Sequence, residues 1–120
     1  MAKYLLLIYG AEQPLPPTED QVAAMFVEYG AFTASIEEQG ILRGAEALVP
    51  TSAATTVRVR DGKTLVSDGP FAETKEALGG FYLIECGDLD TALAAAARIP
   101  GARMGSIEVR PIVDMPEAAG

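Results

Sequence analysis

The chain reads as an α+β domain of the ferredoxin-like, split βαβ type, with a β-hairpin inserted between its halves. Three observations predict this class. Two helical stripes each lie between strand-like apolar runs, which is the βαβ order written twice. The dipeptide Asp61-Gly62, flanked by alternating residues, marks a hairpin between the halves. A length of 120 residues, 49% apolar and 22% charged, supplies one core and little room for a second. Residues 1–114 are therefore expected to form one domain, followed by a fraying C-terminal tail at 115–120. A folded monomer of this mass exposes roughly 6,200 Å².

The run Lys3-Tyr4-Leu5-Leu6-Leu7-Ile8-Tyr9 is short, aliphatic and aromatic, and it stops at Gly10. It predicts a strand with apolar residues on both faces. Pro14, Pro16 and Pro17 lack backbone N–H groups, so a loop follows. Thr18 opens a helix, with Gln21 placed to complete a capping box and Glu19 and Asp20 near the positive end of the dipole. Val22, Met25, Tyr29, Phe32 and Ile36 alternate spacings of three and four and form one stripe, and Gly40 ends the helix. Ile41 to Val49 reads as a strand interrupted at Gly44, and Pro50 begins a turn region.

A type I′ turn at Asp61-Gly62 sets Arg60 opposite Lys63, Arg58 opposite Leu65 and Val57 opposite Val66, with Arg58, Arg60 and Lys63 on one face. After a loop, Phe81 to Cys86 forms a strand that is again apolar on both faces. Asp88 caps a second helix, with Asp90 in its first turn, Arg98 in its last and Pro100-Gly101 beyond its end. Leu89, Leu93 and Ala96 are expected to face inward, and the alanines at 92 and 94–97 let the helix lie close to a sheet. Ser106 to Ile112 is the last strand, with Ile107 and Val109 on one side and Glu108 and Arg110 on the other. Two helices cover one face of a four-stranded sheet. The second face, apolar on the first strand and on Phe81 to Cys86, needs a cover, and a second copy of the chain is the simplest candidate, so a homodimer is expected.

Nine Lys plus Arg stand against seventeen Asp plus Glu, a net charge of -8, which disfavours nucleic acid as a partner. The chain has no histidine, so serine triads, Cys–His dyads and ordinary zinc sites are excluded, and no metal or cofactor is expected. Carboxylates alone would suit Mg²⁺ or Ca²⁺ at best. The lone Cys86 in an apolar setting reads as a buried small hydrophobe. No apolar run approaches the ~18 residues of a membrane helix, and the short opening run does not make a secretory signal. A cytoplasmic, non-membrane protein is expected.

The run Asp68-Gly69-Pro70-Phe71-Ala72-Glu73-Thr74-Lys75-Glu76, with Leu78-Gly79-Gly80-Phe81-Tyr82-Leu83-Ile84 after it, resembles the signature of the YCII-related family in its DGPF-domain branch. Tyr4 to Tyr9, Glu46 and Leu48, and Ile107-Glu108-Val109-Arg110-Pro111 fit the same branch, so the resemblance covers nearly the whole chain. It implies a dimeric ferredoxin-like fold, the dimeric α/β barrel, and in bacteria an association with extracytoplasmic-function sigma factors. Other members of the wider family carry a proposed catalytic histidine on the first helix, paired with an aspartate. That position falls at about Tyr29 here, so a hydrolase-like activity does not carry over.

Turn chemistry accounts for half of the signature: Asp68, Gly69 and Pro70 shape the turn, and Phe71 is expected to anchor it in the core. Glu73, Lys75 and Glu76 are left for a ligand or for a surface ion pair. The candidate ligand-binding residues are Tyr29, Glu46, Arg58, Asp68, Glu73 and Lys75, the expected pocket lying between sheet and first helix with Tyr29, Glu46, Asp68 and Lys75 at its rim. Three functions follow. One is a small-molecule-binding or regulatory homodimeric module. Another is a histidine-independent enzyme in which Asp68 or Glu46 acts as base with Lys75 or Arg58 steadying an anion. The third, implied by the resemblance, is an interaction accessory of a sigma factor.

Overall fold

The computed structural model describes residues 1–115; residues 116–120, most of the expected tail, lie outside them. Strand β1, Ala2–Gly10, is the sheet's inner strand together with β5, Ala77–Cys86. Helix α1, Glu19–Glu38, follows β1 and leads to β2, Leu42–Ala47. The hairpin strands β3, Thr55–Arg60, and β4, Lys63–Asp68, precede β5. Helix α2, Leu89–Ala97, and a 3-10 turn at Pro100–Arg103 lead to β6, Ser106–Pro111. The main sheet has the order β2-β5-β1-β6 and every pair is antiparallel, while β3 and β4 form a separate two-stranded sheet. This is the ferredoxin-like α+β arrangement with an inserted hairpin.

Local chemistry explains the helix ends. Thr18 Oγ1 accepts from the Gln21 N–H at 3.2 Å and Gln21 Oε1 accepts from the Thr18 N–H at 2.9 Å, a complete capping box. At the far end Gly40 adopts φ +75°. Its N–H donates to Glu37 O and the Ile41 N–H donates to Ile36 O, the paired bonds of a Schellman stop. Ile36 and Ile41 are both buried there, so the stop also delivers the chain into the core. Asp88 Oδ1 accepts from Thr91 N at 2.9 Å and from Thr91 Oγ1 at 2.7 Å, which starts α2.

One face of the sheet makes the core. Tyr4 and Leu6 of β1 and Tyr82, Ile84 and Cys86 of β5 meet Phe32 and Ile36 of α1 and Ala92, Ala95 and Ala96 of α2. Phe32 stands edge-on to Tyr82 at 5.0 Å, and the Tyr82 hydroxyl shares a 2.8 Å hydrogen bond with Thr33 Oγ1. Cys86 is buried in this core.

Several expectations need correction. On α2 the inward face is Ala92, Ala95 and Ala96, and Leu89 and Leu93 are exposed. Close helix-to-sheet approach favours the small side chains, and the leucines, a third of a turn round, are left at the flank. On α1, Phe32 and Ile36 are buried but Met25 is exposed, because the first turns of the helix extend past the core. Arg98 is the C-cap of α2, outside its last turn. Its guanidinium donates to Ser35 Oγ at 3.0 Å and Gln39 Oε1 at 2.7 Å and stacks over the Phe32 ring, tying α2 to α1. Strand β2 stops at Ala47, short of Val49, and β5 begins at Ala77, four residues before the expected Phe81. Phe71 is 76% exposed, so it anchors nothing in the core. Gly69 at φ +91° carries the chain along the hairpin, and the hairpin stands off the sheet, so no core lies beneath the turn.

Candidate functional site

The hairpin register is the expected one: Arg60 opposes Lys63, Arg58 opposes Leu65 and Val57 opposes Val66. Asp61 and Gly62 sit at φ +52° and +76°, the two positive values that a type I′ turn demands. At the open end of the hairpin the signature turn is held against β3. Gly69 N–H donates to Ala54 O at 2.7 Å, Thr56 Oγ1 donates to Gly69 O at 2.8 Å, and Arg58 Nη2 donates to Phe71 O at 3.1 Å. Arg58 thus fixes the turn's backbone. Further on, Thr74 Oγ1 donates to Glu76 O at 2.6 Å, a local bond that shapes the chain beside Lys75. Asp68, Glu73 and Lys75 are exposed, and none of them belongs to the ion pairs among the described residues.

The six candidate residues do not all meet. Glu46 pairs with Phe81 and therefore projects from the sheet face away from the helices. Tyr29 belongs to α1 on the other side, half-buried against the core with its hydroxyl at Gly101. The sheet separates them, so one pocket rimmed by both does not form. Burial pushes the Tyr29 hydroxyl above its ordinary value of 10.0. Two open clefts, of about 430 and 500 Å³, both include Arg98 and contain none of the six. Sequence reasoning gave Arg98 only a place near a helix end; its spacing to Ser35 and Gln39 across the chain carries no local signal. Among the described residues no three carboxylates or cysteines gather within reach of one ion.

The sheet face away from the helices has an apolar centre and charged flanks. Leu5 and Leu7 of β1 pair with Leu83 and Phe81 of β5, giving a continuous apolar centre. Its flanks carry the ion pairs Arg43–Glu85, at 3.1 Å, and Arg110–Glu108. Apolar centre and charged rim are the usual anatomy of a protein–protein contact.

Antiparallel sheet, two helices on one face and an inserted hairpin define a ferredoxin-like α+β protein. The chain belongs to the YCII-related domain family, whose model matches residues 2–116. It is also similar to an uncharacterised protein of Rhizobium meliloti (strain 1021), 54% identical over 77 residues. That match spans 62% of this chain and 62% of the relative's own length. Among the described residues, no helix is long and apolar enough to cross a membrane.

Proposed function

We propose that the chain is a homodimeric small-molecule-binding or regulatory module, its protomers joined through their open sheet faces, and that its ligand is a small organic anion met at the signature turn. One observation carries the ligand reading: three hydrogen bonds tie Gly69 and Phe71 of the turn to Thr56 and Arg58 of β3 and to Ala54 just before it, yet the charges at Asp68, Glu73 and Lys75 serve no ion pair among the described residues. The Thr74–Glu76 bond shapes the backbone on either side of the unpaired Lys75 ammonium, and local order of this kind lowers the ordering cost of binding a carboxylate or phosphate. Arg58 acts as a positioning residue for the turn, and Glu46 borders the apolar sheet face on its side of the molecule. The enzyme reading draws no comparable support, because Asp68 and Glu46 are both exposed.

The test is thermal denaturation of wild type and Lys75→Met against a panel of organic mono- and dicarboxylates and phosphate esters. A binding anion at a hundredfold excess over its Kd raises the wild-type Tm by roughly 10 °C. Lys75→Met keeps its unliganded Tm within a few degrees and loses that shift. A variant that unfolds, or one that responds to every compound as wild type does, overturns the assignment of Lys75.

A further inference from the structure

Arg98, the C-cap of α2, is held in place by α1 and its C-cap. Its guanidinium donates to Ser35 Oγ at 3.0 Å and to Gln39 Oε1 at 2.7 Å and lies over the Phe32 ring, 5.6 Å from its centre. All three partners are neutral, and Arg98 joins none of the ion pairs among the described residues. The side chain is therefore ordered while its charge stays uncompensated. A cation fixed in advance spares a ligand the entropy of immobilising it. Arg98 borders an open groove of about 500 Å³ between α1 and the segment running from α2 into the 3-10 turn, a volume typical of small-molecule sites. Exposed Ala31 lines it from α1, and exposed Ala97 with half-buried Pro100 lines it from the other segment. The groove's second cation, Arg103, is paired with Glu28.

We propose that this groove binds a small aliphatic monocarboxylate, its carboxylate on the Arg98 guanidinium and its chain along Ala31, Ala97 and Pro100. The site shares no residue with the signature turn and does not depend on the reading given to it. Charge selects the head group. One uncompensated guanidinium matches one negative charge, and its planar fork of N–H donors fits a planar carboxylate. A second negative charge is disfavoured, because Asp88 and Asp90 line the cleft of about 430 Å³ that also borders Arg98, in a chain of net charge -8. The walls select the tail. Ala31, Ala97 and Pro100 offer aliphatic surface, and the Ser35 hydroxyl is already engaged, donating to Phe32 O at 2.7 Å and accepting from Arg98.

The test is a residue-resolved NMR titration of the full chain with hexanoate, compared with hexanol, acetate and hexyl phosphate. Hexanoate shifts the amide signals of Ser35, Gln39 and Arg98 and the Arg98 Nε–H signal, and it binds at least about tenfold more tightly than hexanol or acetate and no more weakly than hexyl phosphate. Arg98→Gln weakens hexanoate binding at least about tenfold. Ala31→Glu does the same by setting a carboxylate on the groove wall, and it leaves the hydrogen bonds of Arg98 in place. Should Arg98→Gln unfold, Ala31→Glu decides, since an exposed helix position accepts glutamate. Lys75→Met binds hexanoate as wild type does, which separates this site from the signature turn. Hexanoate that leaves the three residues unmoved at tens of millimolar, or shifts confined to residues 68–76, overturn the groove. Hexanol binding as tightly as hexanoate, or either folded groove variant binding like wild type, overturns the role of Arg98. Hexyl phosphate binding more tightly than hexanoate overturns the monocarboxylate assignment.

Discussion

Asp88 shows how much a single side chain decides. Its carboxylate accepts two hydrogen bonds from Thr91, first from the hydroxyl and then from the backbone N–H, and these hold its pKa below the ordinary 3.8. The folded value lies under the unfolded one, so the stabilisation is present above pH 3.8 and is lost as pH falls through the folded value. Asp88→Asn keeps the cap and removes that acid-side loss, whereas Asp88→Ala lowers the Tm above pH 3.8 by an amount that shrinks as the wild-type carboxylate protonates; thermal melts between pH 2.5 and 7 separate the three chains. Gly105 is decided by space: a Cβ there would stand 2.1 Å from the Tyr9 carbonyl oxygen. Gly105→Ala therefore forces β1 and the approach to β6 apart and costs at least ~1–3 kcal/mol in urea denaturation. Phe71→Ala lies at the opposite extreme, since the ring is exposed, and changes monomer stability by no more than about 0.5 kcal/mol.

At the scale of elements, α1 is stabilised at its two ends and by its second half. Removing the capping box with Thr18→Ala costs about 1 kcal/mol, read as a lower urea midpoint at unchanged m-value. Helix α2 is held by small residues. Ala92→Leu drives a larger side chain into a fully buried position and costs ~1–3 kcal/mol, while Leu93→Ser on the exposed flank costs about 1 kcal/mol or less. Equal losses from the two changes would mean that the helix packs through its leucines after all. The hairpin was legible residue by residue, register included, because Asp61-Gly62 admits one turn type and the turn sets the pairing. The packing face of α2 was not legible in this way, because leucine and alanine stripes both fit a helical period and only the sheet's proximity chooses between them.

For the whole molecule, the governing fact is surface left over after the core is built. On the face that the helices do not cover, half-buried Leu5, Phe81 and Leu83 surround Leu7, which is buried among them. Leu7→Asp places a charge there, and sedimentation at micromolar concentration is expected to show monomer or loss of folded protein; a dimer as tight as wild type would refute the sheet-face contact. The candidate site also belongs to this scale. Glu46 and Tyr29 looked like neighbours while the strands were only a list, but one residue of register decides the face of a strand, and the register puts them on opposite sides of the sheet.

Taken alone, the sequence determined the order of elements, the helix caps, the hairpin register and the family, since each is written in residues close together in the chain and in backbone chemistry that few residue types satisfy. Tertiary structure decided which face of α2 is inward, that Phe71 lies outside the core, that Arg98 joins the two helices, and that the six candidate ligand residues fall on different sides of the molecule. Those outcomes depend on distances between segments far apart in the chain, and a hydrophobic pattern records that a side chain wants burial without recording whether a neighbour will be there to bury it.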